Sequence, residues 1–423
     1  MARRSWLLAL MLGLWGCLLP FDLSKAKDSD AGTACFAPAC CAGCWDGVAC
    51  LPGDQDIACG SGGARCVACQ SSDRCRQSSC GPRSEVVDVS TAELHTCAVI
   101  ADGRAYCWGS DMFGELGDGP ALSTGPELVA GPRDYRWILA AGGFEGHSCG
   151  GTADHTARCW GRNVDHQLGD GTTQPRDTPW TLPLRYRAIA GGSSFGCGIG
   201  EEGSLSCWGY TPFASGGRTI EAPTVLDPNT DWTALAAGSR FMCGLRGEAL
   251  YCWGYNDAGQ LGVGDLDLRT SPSPVSSSWT AIAGGEDHAC GIRAGSVWCM
   301  GRGSEGQLGA QANASAPVQV ALTGAATAVC AAKAHSCAIL DGRLFCWGSN
   351  AAGQLGRGAP LSAAPLGPAQ VGEATDWARV VCAGEHSCAL KRGGSLWCWG
   401  SDSHHQIAVG QTAVPLELRL PAL

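Results

Sequence analysis

Cysteine is the residue type in this chain whose spacing could do chemistry. There are 27 in 423 residues, and they follow two patterns. Ten lie irregularly at 35, 40, 41, 44, 50, 59, 66, 69, 75 and 80, where Cys66-x-x-Cys69 has the spacing of a zinc site. From residue 97 onward they come in pairs nine or ten apart, and the second of each pair opens a Cys-Trp-Gly triplet. The triplets begin at Cys107, Cys159, Cys207, Cys252, Cys346 and Cys398, with Cys299-Met300-Gly301 in the remaining place. So many cysteines imply an oxidising compartment, since a reducing one would have to keep them all as thiols. In the 35–80 segment, which has no histidine, five disulfides are favoured over a metal, with connectivity open.

The turn between the paired cysteines fixes what they do. Asp341-Gly342 is a two-residue hairpin turn, because both residues accept positive φ. Counting outward pairs Leu340 with Arg343, Ile339 with Leu344 and Ala338 with Phe345, so Cys337 lies opposite Cys346 within disulfide range. Cys243–Cys252 and Cys290–Cys299 keep that spacing around Gly247-Glu248 and Ala294-Gly295. The pairs ten apart need a three-residue loop with a left-handed third position. Gly103, Gly203 and Gly394 supply it for Cys97–Cys107, Cys197–Cys207 and Cys388–Cys398, and His155 is the exception at Cys149–Cys159. Spacing and turn chemistry change together, which predicts seven hairpin disulfides. Cys330 and Cys382 are left over in the first strands of their units. An interblade disulfide is one reading; because their distances to the following cysteine differ by one residue, two buried free thiols are the favoured one.

Other motifs read as structural. His95, His147, His288, His335 and His386 share one position, two before the first cysteine of a pair, and Phe195 and Phe241 fill it elsewhere. A metal-binding ring is conceivable, but an aromatic plate that packs or hydrogen-bonds within the blade explains the phenylalanines too. The triplet tryptophans and Met300 read as interblade packing. Gly192-Ser193-Ser194-Phe195-Gly196 matches a nucleophile elbow, and Gly301–Gly306 a dinucleotide loop, yet neither precedes a helical pattern.

These hairpins need a scaffold that repeats. The triplets recur every 45 to 52 residues, and each unit offers four candidate strands: an apolar first strand such as 279–285, the two cysteine strands, and a proline-punctuated fourth such as 316–322. Four short strands at this period form a β-propeller blade. The expected organisation is a signal peptide at 1–26, or a lipoprotein signal ending before a lipidated Cys17. A linker at 27–34, a disulfide module at 35–80 and a seven-bladed all-β propeller at 86–420 follow.

The repeat resembles that of the regulator of chromosome condensation family, on Gly259-Gln260-Leu261-Gly262, Gly306-Gln307-Leu308-Gly309 and Gly353-Gln354-Leu355-Gly356, with the variant Gly114-Glu115-Leu116-Gly117. The third unit departs from it at 214–217 and the seventh at 406–409. The resemblance implies a seven-bladed propeller. The family's founding member acts on chromatin and a small GTPase, and a secreted bacterial β-lactamase inhibitor is built on a similar propeller.

Function follows by exclusion. The net charge is −10 and no Lys/Arg cluster occurs after Arg4, which argues against nucleic acid. No convergent acid/base set stands outside the repeat, so the expectation is a non-catalytic exported binding or scaffold protein of the bacterial envelope, without cofactor. Its partner would be a protein or glycan, with membrane attachment only through Cys17. A secreted enzyme inhibitor is the alternative, and a propeller enzyme a weaker one. Activity would reside in the divergent connections 117–135, 169–185, 210–231 and 262–278, which carry Trp180, Tyr210, Phe213 and Arg218, types common at binding hot spots.

Overall fold

The computed structural model describes residues 85–119, 125–143, 146–211, 217–309, 312–358 and 361–420, and the backbone of three short strand pairs nearer the N-terminus. The chain divides into two compact units, Met1–Ser84 with the last two residues, and Glu85–Pro421. In the first, Cys44–Trp45 pairs with Cys50–Leu51, Asp54–Gln55 with Ala58–Cys59, and Asp73–Arg76 with Ser79–Pro82. The signal segment, Cys17, the linker and the side-chain pairing of the ten module cysteines lie outside the described residues.

In the second unit every described element is a strand, and seven repeat units follow one another. Unit five shows the plan. Trp279–Gly284, His288–Arg293, Ser296–Gly301 and Ala314–Gln319 pair antiparallel in that order. The expectation of seven separate blades needs correction. Five units are separate four-stranded sheets, whereas units two and three run together in one seven-stranded sheet. The single strand Arg176–Gly191 ends the ladder of unit two and begins that of unit three. No residue of that strand has positive φ, so the chain stays extended through Leu182-Pro183-Leu184 where the other units turn.

Each hydrophobic cluster straddles two consecutive units. Trp160 and Tyr135 of unit two pack with Cys97, Val99 and Leu116 of unit one. Trp399 and Trp377 of unit seven pack with Cys337, Cys346 and Leu355 of unit six. A last cluster joins Val86, Val89 and Trp108 to Leu390, Leu396 and Ile407, which closes the chain into a ring. Burying one such side chain contributes about 2–3 kcal/mol, so the core lies between blades rather than inside them.

The Gly-Gln-Leu-Gly signature is the other half of that packing. Its second glycine lies under the next unit's tryptophan: a Cβ on Gly356 (φ +67°) would come within 2.8 Å of Trp399 Nε1. Its leucine is buried, as at Leu355 and Leu261. The Gln354 side chain accepts from Ala352 N at 2.8 Å, and its backbone carbonyl accepts from Trp399 Nε1 at 2.9 Å. Trp160, Trp208 and Trp347 donate likewise to Glu115, Gln167 and Gln307.

Candidate functional site at the central cavity and its loop-bearing end

The hairpin register places each cysteine pair directly opposite, with Cys337 facing Cys346 and Leu340 facing Arg343. Disulfides join Cys97–Cys107, Cys149–Cys159, Cys197–Cys207, Cys243–Cys252, Cys290–Cys299, Cys337–Cys346 and Cys388–Cys398, at Cα separations of 4.0–4.1 Å. At the Asp341-Gly342 turn both residues have positive φ, as does His155 at the exceptional loop. All fourteen cysteines are at most 1% exposed.

Cys330 and Cys382 are not free thiols. They form a disulfide across the seam between units six and seven, the eighth among the described residues, with Cα atoms 5.7 Å apart. The one-residue offset is the stagger between neighbouring inner strands. Cys330 lies opposite its unit's hairpin cysteine, while Cys382 lies one residue further on. Ser90 and Ala140 occupy the same two positions in units one and two, and Ala140 N donates to Ser90 Oγ at 3.0 Å.

The histidines bond across the seams, not within a blade. His95 Nε2 lies 2.9 Å from Ser148 Oγ of the next unit. His288 with Ser336, His335 with Ser387 and His386 with Thr96 repeat the contact at 2.9, 2.8 and 3.1 Å. Each hydroxyl donates its one proton to a signature-position carbonyl: Ser148 to Glu115, Ser336 to Gln307, Ser387 to Gln354 and Thr96 to Gln406. It must therefore accept from the imidazole, so these four rings carry Nε2–H and a bare Nδ1. Burial holds their pKa values down at about 3, and that of His147 at about 4, so all five are neutral near neutral pH. His147 is the misfit. Unit three offers Gly196 in place of a hydroxyl, and neither nitrogen of the buried His147 ring has a partner.

The innermost strands of all seven units line a cavity of about 490 Å³. Its middle is apolar, with Leu139, Ile189, Leu235 and Val329. First-to-second and third-to-fourth connections emerge at one end, because successive strands are antiparallel. At that end Ser193 Oγ lies 2.9 Å from Ser239 Oγ, and Lys333 Nζ 3.1 Å from Glu93 Oε1. Glu93 on one side and Glu286 and Glu385 nearby raise the Lys333 pKa, and burial raises that of Glu286.

The residues expected on this end are only partly brought together. Tyr210 and Arg218 are exposed at the loop end of unit three, where Tyr210 pairs with Thr219 and Thr211 with Arg218. Trp180 is not exposed. It lies in a fourth strand opposite Cys159, half buried against the core of units two and three, with the Arg176 guanidinium 5.6 Å from its ring centre. Phe213 lies outside the described residues. Much of the span expected as connections is fourth strand: Arg176–Gly191, Arg218–Asp227 and Arg269–Ser276. The elbow-like residues 192–196 join two strands, and the turn at 302–306 leads into Ala314–Gln319, so neither motif opens a helix.

One arrangement was missed from sequence. Unit one replaces the amides of the repeat by acids, with Asp111 where unit two has Asn163 and Glu115 where it has Gln167. Burial raises Asp111 to about 6 and Glu115 to about 7, with Asp118 and Asp177 adding like charge beside Asp111. The signal was visible as two amide-to-acid changes within one repeat.

Comparisons with known proteins agree with this geometry. The model of the regulator of chromosome condensation (RCC1) repeat matches residues 102–149, 248–292, 294–339 and 341–390, and a second model of the same repeat matches 377–406. The ultraviolet-B receptor UVR8 of Arabidopsis thaliana is 28% identical over 205 residues, 46% of this chain and 47% of that protein. The human E3 ubiquitin-protein ligase HERC2 is 28% identical over 206 residues, only 4% of its length. The chain thus spans less than half of either relative. Among solved structures, Prp20p of Saccharomyces cerevisiae superposes with a TM-score of 0.62 at 19% identity over 72% of this chain and 82% of its own. Human WBSCR16 gives 0.66 at 18% identity, over 75% and 94%. On signature, strand plan and register together, the matched units of this chain are RCC1 repeats.

Proposed function

We propose that this chain is an exported, non-catalytic binding or scaffold protein of the bacterial cell envelope. It engages a protein or glycan partner through the loop-bearing end of a ring that counts as seven-bladed, units two and three sharing a strand. One observation carries the reading. The recurrent side chains are committed to the hairpins and the seams, as disulfide, tryptophan–carbonyl contact or histidine–hydroxyl pair, so recognition falls to residues that differ between units. Tyr210, Arg218, Ser193, Ser239 and Lys333 are such residues, and all lie at one end. Prp20p, on the same fold, is described as binding Gsp1p and histones, which fits a propeller used as a protein-binding surface. Export is inferred from the buried disulfides, which need an oxidising compartment to form.

The test exchanges the third-to-fourth connections of units one to four for that of unit five and measures partner capture. Loss of capture with an unchanged melting temperature supports the reading. A turnover abolished by a single substitution overturns it. Tight binding to one secreted enzyme would select the inhibitor alternative.

A further inference from the structure

The ring closes without sharing a strand between its ends. Unit one is built from Val86–Leu128 and unit seven from Trp377–Leu418, each with its own four strands. Besides the hydrophobic clusters and the His335–Ser387 and His386–Thr96 pairs, four cross-links hold the seams around unit seven. Val86 N donates to Gly394 O at 2.9 Å. Arg379 of unit seven pairs with the buried Asp88, which also accepts from Ile138 N of unit two at 2.7 Å. Lys333 of unit six reaches Glu93 of unit one past Gly384, where a Cβ would meet Glu93 Cγ at 2.9 Å. The fourth is the Cys330–Cys382 disulfide.

That disulfide differs from the others in two independent ways. The seven hairpin bonds each close a loop of nine or ten residues between strands already paired, and their sulfurs are sealed between blades. Cys330–Cys382 spans 52 residues and joins two separate sheets, so breaking it frees far more chain. Its cysteines are 5% and 8% exposed, and both line the central cavity, which at about 490 Å³ admits a small dithiol.

We propose that Cys330–Cys382 is a thiol-exchange site inside the propeller and the latch of the ring beside its closing seam. A thiolate of an entering dithiol attacks one sulfur, the S–S bond breaks, and the other cysteine leaves as thiolate. The reagent's second thiol then attacks the reagent sulfur of the mixed disulfide and displaces the remaining cysteine as its thiolate. Both cysteines end reduced, and the dithiol ends as its cyclic disulfide. The hairpin bonds do not react under these conditions, because no thiolate reaches their sulfurs while the blades stay packed.

The experiment titrates dithiothreitol into the folded full-length protein, quenches with an alkylating mass label and maps each cysteine. The expected result is labelling of Cys330 and Cys382 at a concentration at least tenfold below that for any of the fourteen hairpin cysteines. Labelling of a hairpin pair at the same or a lower concentration overturns the exchange site. Hydrogen exchange on the selectively reduced protein reads the latch. Faster exchange is expected in Ala326–Ala331, Trp377–Ala383 and Val86–Thr91, and unchanged exchange in all three overturns it. The variant Cys330→Ser/Cys382→Ser should reproduce that exchange pattern and lower the melting temperature; a variant with neither change contradicts the latch.

Discussion

His386 Nε2 lies 3.1 Å from Thr96 Oγ1, although 290 residues separate them. The contact closes the ring with the same bond that joins unit five to six and six to seven. It makes sense of a pattern that single positions do not explain. Except at His147, a histidine stands in one unit where the next unit offers a hydroxyl, and Phe195 and Phe241 stand where the next offers Met242 or Ala289.

Removing one partner of such a pair should cost more than removing both. Ser336→Ala leaves the buried His288 Nε2–H unpaired and is expected to lower stability by about 1–3 kcal/mol. The double change His288→Phe/Ser336→Ala copies the Phe241–Ala289 seam and should recover a large part of that loss. Chemical denaturation of the four proteins of this cycle checks it, and additive losses would contradict the pairing.

Low pH should unfold the propeller through these rings. The five buried histidines have pKa values of about 3 to 4 against an ordinary 6.5, so the unfolded chain binds more protons between those values. Stability is therefore full above about pH 6.5 and falls as pH drops toward 3, by at most about 1.4 kcal/mol per histidine for each pH unit. A melting temperature that stays flat from pH 7 to pH 4 would count against neutral buried histidines.

Glu115 should act in the opposite direction. Burial raises its pKa from 4.5 to about 7, so the folded state holds the extra proton and stability falls as pH rises between those values. Glu115→Gln, which copies Gln167 and Gln354, is expected to stabilise the protein by about 1–3 kcal/mol at pH 8 and to be nearly neutral at pH 4. Melting curves at the two pH values decide it; equal effects at both would mean that the carboxyl is not buried in its protonated form.

The hairpins were legible because turn chemistry fixes register locally: Asp341-Gly342 alone places Cys337 opposite Cys346. Seam geometry was less legible, since it depends on how neighbouring strands stagger. The one-residue offset of Cys330 and Cys382 argued for free thiols in sequence and is the bonded geometry in space. The continuous strand Arg176–Gly191 was hidden because Pro183 reads as punctuation, yet its φ suits extended chain. Trp180 read as a surface aromatic because its strand looked like a connection; pairing with Cys159 turns it toward the core.

The central claim is that recognition lies at the loop-bearing end, and it is tested most directly by point changes that leave the disulfides, tryptophan–carbonyl contacts and histidine pairs intact. Tyr210→Ala, Arg218→Ala and Lys333→Ala, singly and combined, should keep the melting temperature within about 2 °C of the parent, except that Lys333→Ala also removes the pair with Glu93. Capture of the envelope partner by the immobilised protein should fall at least tenfold for the combination. Capture that persists at the parental level in a folded triple variant would contradict the account and move the binding site to the opposite end or to residues 35–80.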